Sequence, residues 1–493
     1  MKTHENKEAE TIFAELFQNV LIVQDMFDHS PDLVIRSLTI GATGTKAVLI
    51  YFCGLVSKND IQQHIIKPLL DKQAVSPDEI TIAGVTETDS WAVVEISILS
   101  GNTLLFVDGM EIAYVLETRE WPERSLEDPQ IEPSLKGSHQ GFLETAGKNL
   151  ALIRRLIPNR ELKIKTYRLG RRGEVLLYIL YIADLTNSEF LQEINERLDR
   201  LDIDTVLSTG ALGELIEDHP FSPFPQFIIT ERPDSTASQL LQGRVAIIVD
   251  RSPGVLIGPT TFLSFLQSPD DYGTRWLVAS FLRILRFAGL FIAIFLPAFY
   301  IALLSYNYEV IPIKLILSIG ETREKVPFPP LVEALLMELT LEMLREAGIR
   351  LPAPIGQTVG IVGGIVIGQA AVQAGIVSNI MVIVVAFTAI ASFIIPNYDM
   401  ASAVRFIRFP MMLLASMFGI VGIMVGLMAF IGHVITLRSF GVSYDDPIDT
   451  IHLSDLKDTI IRLPLWLMKS RPSSTKPKQM KRRDNDGSVG EKS

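Results

Sequence analysis

Between Arg350 and Asp399 the chain runs forty-eight residues without Asp, Glu, Lys, Arg or His. As helix, at ~1.5 Å per residue, that is about 72 Å. A bilayer hydrocarbon core is only ~30 Å thick, so the stretch predicts two crossings. Its glycines and glutamines (Gly360, Gly363, Gly364, Gly368, Gln369, Gln373 and Gly375) set it apart from a Leu-rich anchor and direct the search for function here.

Mean hydropathy of +0.30 averages two unlike halves, because charge runs through residues 1 to about 280 and thins out from 287 to 437. Met1 to Glu10 is polar and offers no apolar core of a signal peptide, so the first half is expected to stay cytosolic. Cys53 is the only cysteine, which excludes an internal disulfide and a Cys-based zinc site and predicts a buried structural thiol. Net charge of -11 argues against nucleic acid as a partner. From Arg471 to Ser493 the tail carries seven Lys/Arg and no apolar periodicity. It reads as a disordered basic segment that either touches anionic lipid or only solubilises.

Shifted by 129 residues, Asp32 to Gly41 lies over Glu161 to Gly170, and Gly44 falls on Gly173. The match predicts a duplication without gaps over about thirty positions. Each copy continues with an apolar strand (Ala47 to Leu55; Val175 to Leu185) and a helix opening after Ser57 or Thr186, either of which suits an N-cap. The Gly-x-x-Gly spacing predicts a tight hairpin rather than a phosphate loop, since no Lys-Ser/Thr helix start follows. Asp108 and Asp250 correspond, after thirteen extra residues in the second copy, and each is placed at a strand-ending turn rather than in a catalytic pair. Trp121, Phe142, Arg154, Arg155 and Arg160 fall in the connection, as an interface or a partly buried linker. No Ser/His/Asp order, HExxH, Walker or GxGxxG pattern occurs, so the soluble half is expected to be non-catalytic and free of cofactor or metal.

The fold class expected is an α/β soluble region of two tandem duplicated modules, followed by an α-helical transmembrane bundle. The first module is 1–136, the second 137–280, the bundle 281–440, and a cytosolic tail covers 441–493. Four spans are expected: Phe287 to Tyr306 with Pro297 inside, two in the uncharged stretch joined at Ser378-Asn379, and Phe409 to Val434. An amphipathic or re-entrant segment precedes the second. An even count puts both termini on one side, and Arg275, Arg283, Arg286, Arg438 and the tail make that side cytosolic.

On a wheel of about 100° per residue, Thr358, Val362, Val366, Gln369 and Gln373 fall within roughly 80°, while Gly360, Gly364, Gly368, Ala371 and Gly375 lie opposite. The small row is a packing seam and the Thr/Val/Gln row a candidate pore lining. The alternative is a passive bundle in which Gln369 and Gln373 bond a neighbouring helix. Upstream, an amphipathic helix from Leu331 to Ala347, stopped by Gly348 and Pro352, carries Glu338, Glu342 and Glu346 at i, i+4 spacing, as an acidic pore rim or a solvated face. Glu333 lies on its apolar face and there needs a partner or a proton.

The block from Arg323 to Ser378, with Ile394-Ile-Pro-Asn-Tyr398 and Arg405-Phe-Ile-Arg408, resembles the A subunits of GerA-type nutrient germination receptors of endospore-forming bacteria. Before its Gly-Phe-x-Glu the family usually shows a Gly-Pro-Arg-like turn. Here Gly137-Ser-His-Gln precedes Gly141-Phe-Leu-Glu144, and the arginine is missing. The resemblance implies a subunit of the inner spore membrane, which the expected spans make multi-pass with both termini cytosolic. Its partners would be a transporter-like, nutrient-sensing B subunit and a lipoprotein C subunit. It also implies a homo-oligomeric, pentameric channel that releases monovalent cations; the Thr/Val/Gln row read from the residues then puts Val362 and Val366 at the gate. The competing reading is a non-conducting scaffold or signal relay; a secondary transporter ranks third, for want of an inverted repeat.

Overall fold

Period-two alternation puts Val48, Ile50 and Phe52 on one face of a strand and Ala47, Leu49 and Tyr51 on the other, and both faces are buried. A computed structural model describes residues 11–41, 43–71, 80–120, 138–446 and 458–482. Met1 to Glu10, Trp121 and tail residues 483–493 lie outside the described residues.

The first module is a five-stranded sheet of β1 (Leu33–Thr39), β2 (Lys46–Phe52), β3 (Val85–Thr88), β4 (Thr103–Val107) and β5 (Ala113–Leu116), in the order β1-β2-β4-β5-β3. The second repeats that order as β6-β7-β9-β10-β8, from β6 (Leu162–Leu169), β7 (Val175–Ile182), β8 (Ile228–Thr230), β9 (Val245–Val249) and β10 (Val255–Gly258). Every neighbouring pair is antiparallel. Helices cover both faces of each sheet, which is why the strands read as nearly continuous apolar runs.

The gapless match fails by one residue. Asp108 N–H donates to Lys46 O, while Asp250 N–H donates to Leu176 O, so Lys46 corresponds to Leu176 and not to Val175. The extra residue sits in the second hairpin turn, where Gly170 takes φ 110° as Gly44 takes 69° in the first. A one-residue slip turns every side chain of a strand to the opposite face. The gapless alignment would therefore have exchanged the two faces of β7. The second N-cap is also one position on: Ser57 accepts from Asp60 N–H, but Asn187, not Thr186, accepts from Glu189 N–H.

The duplication begins earlier than Asp32. Helix α1 (Leu16–Met26) and helix α2 (Ala146–Leu156) are counterparts. Buried Asn19 accepts from Phe13 N–H at 3.0 Å and donates back to its carbonyl, and buried Asn149 does the same with Leu143, at 2.8 Å. Asp108 and Asp250 each accept from the first N–H of their helix, Leu16 and Ala146, so their role is to hold a helix end. Cys53 is half-buried rather than enclosed.

Arg154 locks the modules together. It projects from α2, is 1% exposed, donates to Asp32 Oδ1 at 3.0 Å and Ser30 Oγ at 2.8 Å, and stacks 4.1 Å from the Phe52 ring centroid. Phe142 is buried in the second module's core. Of the connection residues, these two are structural.

The second module and the helical region share one apolar core, running from Leu180 and Ile248 through Phe262, Phe265 and Tyr444 to Leu290 and Met400. Helix α3 (Trp276–Ser305), with Pro297 inside, leaves the module, and its far end reaches Asn307. Helix α4 (Pro330–Arg350) returns, α5 (Ala353–Gln373) goes out, and α6 (Asn379–Phe393) comes back. Helix α7 (Tyr398–Thr436) is thirty-nine residues long but is broken at Gly419, with φ 62° and ψ -139°. A Cβ on Gly422 would strike Leu414 O, and one on Gly426 would strike Met411 Sδ, so the two arms fold back against each other. At ~1.5 Å per residue the arms are about 31 and 26 Å long. Asn307 Oδ1 accepts from Ile420 N–H at 3.2 Å, capping the second arm.

The expected single span Phe409 to Val434 is thus a helical hairpin. Of the four spans expected, two described helices are long and apolar enough to cross a membrane, α3 and α7, each at a mean hydropathy of 2.4. Helix α6, at fifteen residues, spans about 22 Å. Both ends of the helical region return to the second module, through Arg286 on Leu266 O and Ser222 on His433.

Two expectations about charge change. Arg283 and Arg286 are not free flanking cations, because both pair with buried Asp271, at 2.9 and 2.8 Å. Tail residues 471–482 form a hairpin on the second module instead of a disordered segment: Arg471 N–H donates to Met480 O, Lys478 N–H to Leu185 O and Thr475 Oγ1 to Gln242 O.

Gly419→Ala should cost about 1–3 kcal/mol, since a Cβ would strain φ and strike Asn307; a lowered melting temperature of the purified chain checks it. Glu217 is pushed up to about 7, first by burial and then by Glu214 and Asp218. The folded state therefore holds this proton where the unfolded chain releases it, so stability falls as pH rises from about 4.5 to 7. Glu217→Gln should flatten that slope and stabilise above pH 7, read by melting against pH.

Candidate functional site

The i, i+4 glutamates of α4 would repel one another in an isolated helix. Here each is met by an arginine. Glu333, fully buried, has Oε1 2.9 Å from Arg323 Nη2 and accepts from Ser378 N–H at 2.9 Å, beside the Tyr300–Ser378 hydroxyl bond. One turn and a half on, Glu338 takes a hydrogen bond from Arg408 of α7, both at most 2% exposed, and Arg408 Nε also donates to Ala293 O of α3 at 2.8 Å. Glu342 is held by Arg345 at 2.9 Å and Arg405 at 3.2 Å. Glu346 pairs with Arg350 in the open.

Glu333, Glu338 and Glu342 are therefore paired rather than free, and Glu346 alone of the four stands in a solvated pair. They are the inner half of a ladder of ion pairs running along α4. Arg345 also lies 5.0 Å from the Phe393 ring, and Arg405 lies 5.9 Å from the Tyr398 ring. Glu338 Oε1 and Arg408 Nη2 are buried without a hydrogen-bond partner. The expected helix stop at Gly348 is absent too: α4 runs on to Arg350, and Gly348 is where α5 crosses, since a Cβ on Gly356 would lie 2.6 Å from Gly348 O.

Helix α5 leans on α4 and α6 and turns its remaining face outward. A Cβ on Gly363 would touch Leu344 of α4 at 3.0 Å, and one on Gly368 would meet Val382 of α6 at 3.8 Å. Ala371 packs on the core. Gly364 faces open space, and Gly375 belongs to the turn after the helix, with φ 66°, against Lys325 O. So the expected small-residue row divides: Gly368 and Ala371 pack within the chain, Gly364 does not, and Gly363 supplies a contact the wheel had left out. The side chains of Thr358, Gly360 and Val362 lie outside the described residues.

Val366 is 57% exposed, and Gln369 and Gln373 are exposed as well. Their i, i+3, i+7 spacing makes one stripe. Neither amide bonds a neighbouring helix of the same chain, so the passive-bundle alternative finds no partner among the described residues. A stripe of two amides and an isopropyl group, backed by a rigid charged ladder, can line an aqueous path between copies or seat a partner helix. It has no nucleophile or base, and no group of three or more His, Cys, Asp or Glu is placed to hold a metal among the described residues. The arginine partners were missed because Arg405 and Arg408 lie about seventy residues from the acids they meet; the one signal in the chain was two cations inside an otherwise apolar helix.

Removing one partner of a buried pair leaves a desolvated charge, so Arg408→Leu should cost about 3–5 kcal/mol. The double variant Glu338→Leu/Arg408→Leu should melt closer to wild type than either single variant.

The Bacillus/Clostridium GerA spore germination protein model matches residues 22–474. The chain is 39% identical to the uncharacterized membrane protein YfkQ of Bacillus subtilis (strain 168), over 96% of this chain and 94% of that one. It is 38% identical to the spore germination protein GerLA of Bacillus cereus, over 94% and 98%. A crystal structure of the N-terminal domain of the A subunit of the Bacillus megaterium spore germinant receptor GerK3 aligns with 51% of this chain and 97% of that one, at 30% identity and a TM-score of 0.41.

Proposed function

The chain belongs to the GerA family of spore germination proteins, and from that premise we propose that it is the A subunit of a nutrient-responsive germination receptor and forms an oligomeric cation channel. It sits in the inner spore membrane, multi-pass, with both termini cytosolic. The partners are a nutrient-sensing, transporter-like B subunit and a lipoprotein C subunit. The subunit is non-catalytic and conducts monovalent cations when the partner binds germinant.

One observation carries the channel reading: the Val366, Gln369 and Gln373 stripe is exposed, while Gly363, Gly368 and Ala371 of the same helix lie against α4, α6 and the core. Amides turned toward lipid would leave unpaired donors in hydrocarbon, at several kcal/mol each. Facing copies of themselves around water, they stay hydrated, and the valine rings supply an apolar constriction that gates by dewetting. The ring we propose has five copies of this helix. The return of both ends of the helical region to the second module supports a same-side placement of the termini, and the two apolar helices support membrane association.

Flux tests this directly. In liposomes holding the purified chain, Val362→Ala and Val366→Ala should raise basal K⁺ efflux. Each loses two methyl-sized groups of apolar lining at ~0.8 kcal/mol apiece, on the order of tenfold in a wetting equilibrium. Wild type and both variants all impermeable to K⁺ would exclude the channel and leave the scaffold reading.

A further inference from the structure

Arg244 precedes β9 in the second module, is 4% exposed, and makes one hydrogen bond, from Nη2 to Ser264 Oγ at 2.9 Å. Its Nε and Nη1 have no partner. Burial pushes this guanidinium down to about 10, with only Tyr272 acting against the shift. A buried arginine is ordinarily met by a carboxylate, as Arg154 and Arg408 are, because an uncompensated charge in a dry site is costly.

Arg244 lines a cavity of about 60 Å³ between the second module and the tail hairpin, together with Ser264, Thr459, Ser470, Arg471 and Arg482. Asp458 is the one acid on its wall, and it is engaged by Arg283 at 3.0 Å and by the Tyr272 hydroxyl at 2.8 Å. Three arginines and several hydroxyl residues thus line a space of a few heavy atoms, Arg471 being oriented there by its Nε and Nη1 bonds to the carbonyls of Leu241, Gln479 and Lys481. The duplicated first module shows what a closed version looks like: Asn102 stands at the position of Arg244 and accepts from Arg119 Nε at 3.0 Å.

We propose that this cavity binds one phosphate-class oxyanion, held by Arg244 from the module and by Arg471 and Arg482 from the tail, so that occupancy fastens the tail to the second module. Bidentate geometry suits guanidinium to such an anion. The anion arrives free or as the headgroup of an acidic phospholipid. The exposed Leu465, Trp466 and Leu467 beside the cavity suit the second source.

The test uses the full chain in a neutral detergent, with melting followed against inorganic phosphate, and in nanodiscs of phosphatidylglycerol or of phosphatidylcholine. Phosphate should raise the melting temperature if the free anion is the ligand; phosphatidylglycerol but not phosphatidylcholine should do so if the headgroup is. In either case Arg244→Met and Arg471→Gln should weaken the apparent affinity about tenfold or more. Arg244→Met without anion should melt no lower than wild type, since it removes an unpaired charge. Should it not fold, Arg471→Gln carries the comparison. No shift of wild type by either anion, or a shift left intact in the variants, overturns the proposal.

Discussion

One guanidinium fixes the helical region. Arg408 of α7 reaches the carboxylate of Glu338 on α4 and the carbonyl of Ala293 on α3, away from water, so three helices that are distant in sequence meet at one point. A buried pair of this kind adds little net stability, because desolvation offsets much of the Coulomb attraction. Its effect is on arrangement. Any packing that separates the two charges leaves one of them bare, and that penalty excludes alternative rotations of α4. With α4 set, the crossings at Gly348 and Leu344 set α5, and the stripe through Val366, Gln369 and Gln373 lies on its exposed side.

The α/β half uses the same device once more. Arg154 ties the second module's first helix to Asp32 and Ser30 of the first, over the Phe52 ring. The tail and the Asp271, Arg283, Arg286 and Asp458 cluster then bind the second module to the start of α3. Buried charges join the two modules and join the second module to α3, so that displacement of one part is felt by the next. That suits a subunit whose proposed task is to turn an event at a partner into a change at α5.

Much of the α/β fold was legible because duplication repeats the same physical constraints twice: paired strands, a glycine turn, a capped helix. The failure was small and instructive. Sequence similarity near the hairpin tolerates a one-residue shift, whereas the ladder does not, since Lys46 and Leu176 occupy the same bonded position and pleating assigns every later side chain from there. The Asn19 and Asn149 clamps went unseen because an asparagine bonding a backbone six residues away leaves no periodic trace.

In the helical region, the absence of charge from 351 to 398 by itself dictated apolar helices, and the wheel by itself set Gln369 and Gln373 on one line. Those are local properties, fixed by composition and by the 3.6-residue turn. Whether that line is covered, which arginine meets which glutamate, and that the last long helix doubles back at Gly419 were decided only in three dimensions. Each depends on contacts between residues far apart in the chain, and a buried charge or a close backbone approach has its energy only once both partners are in place.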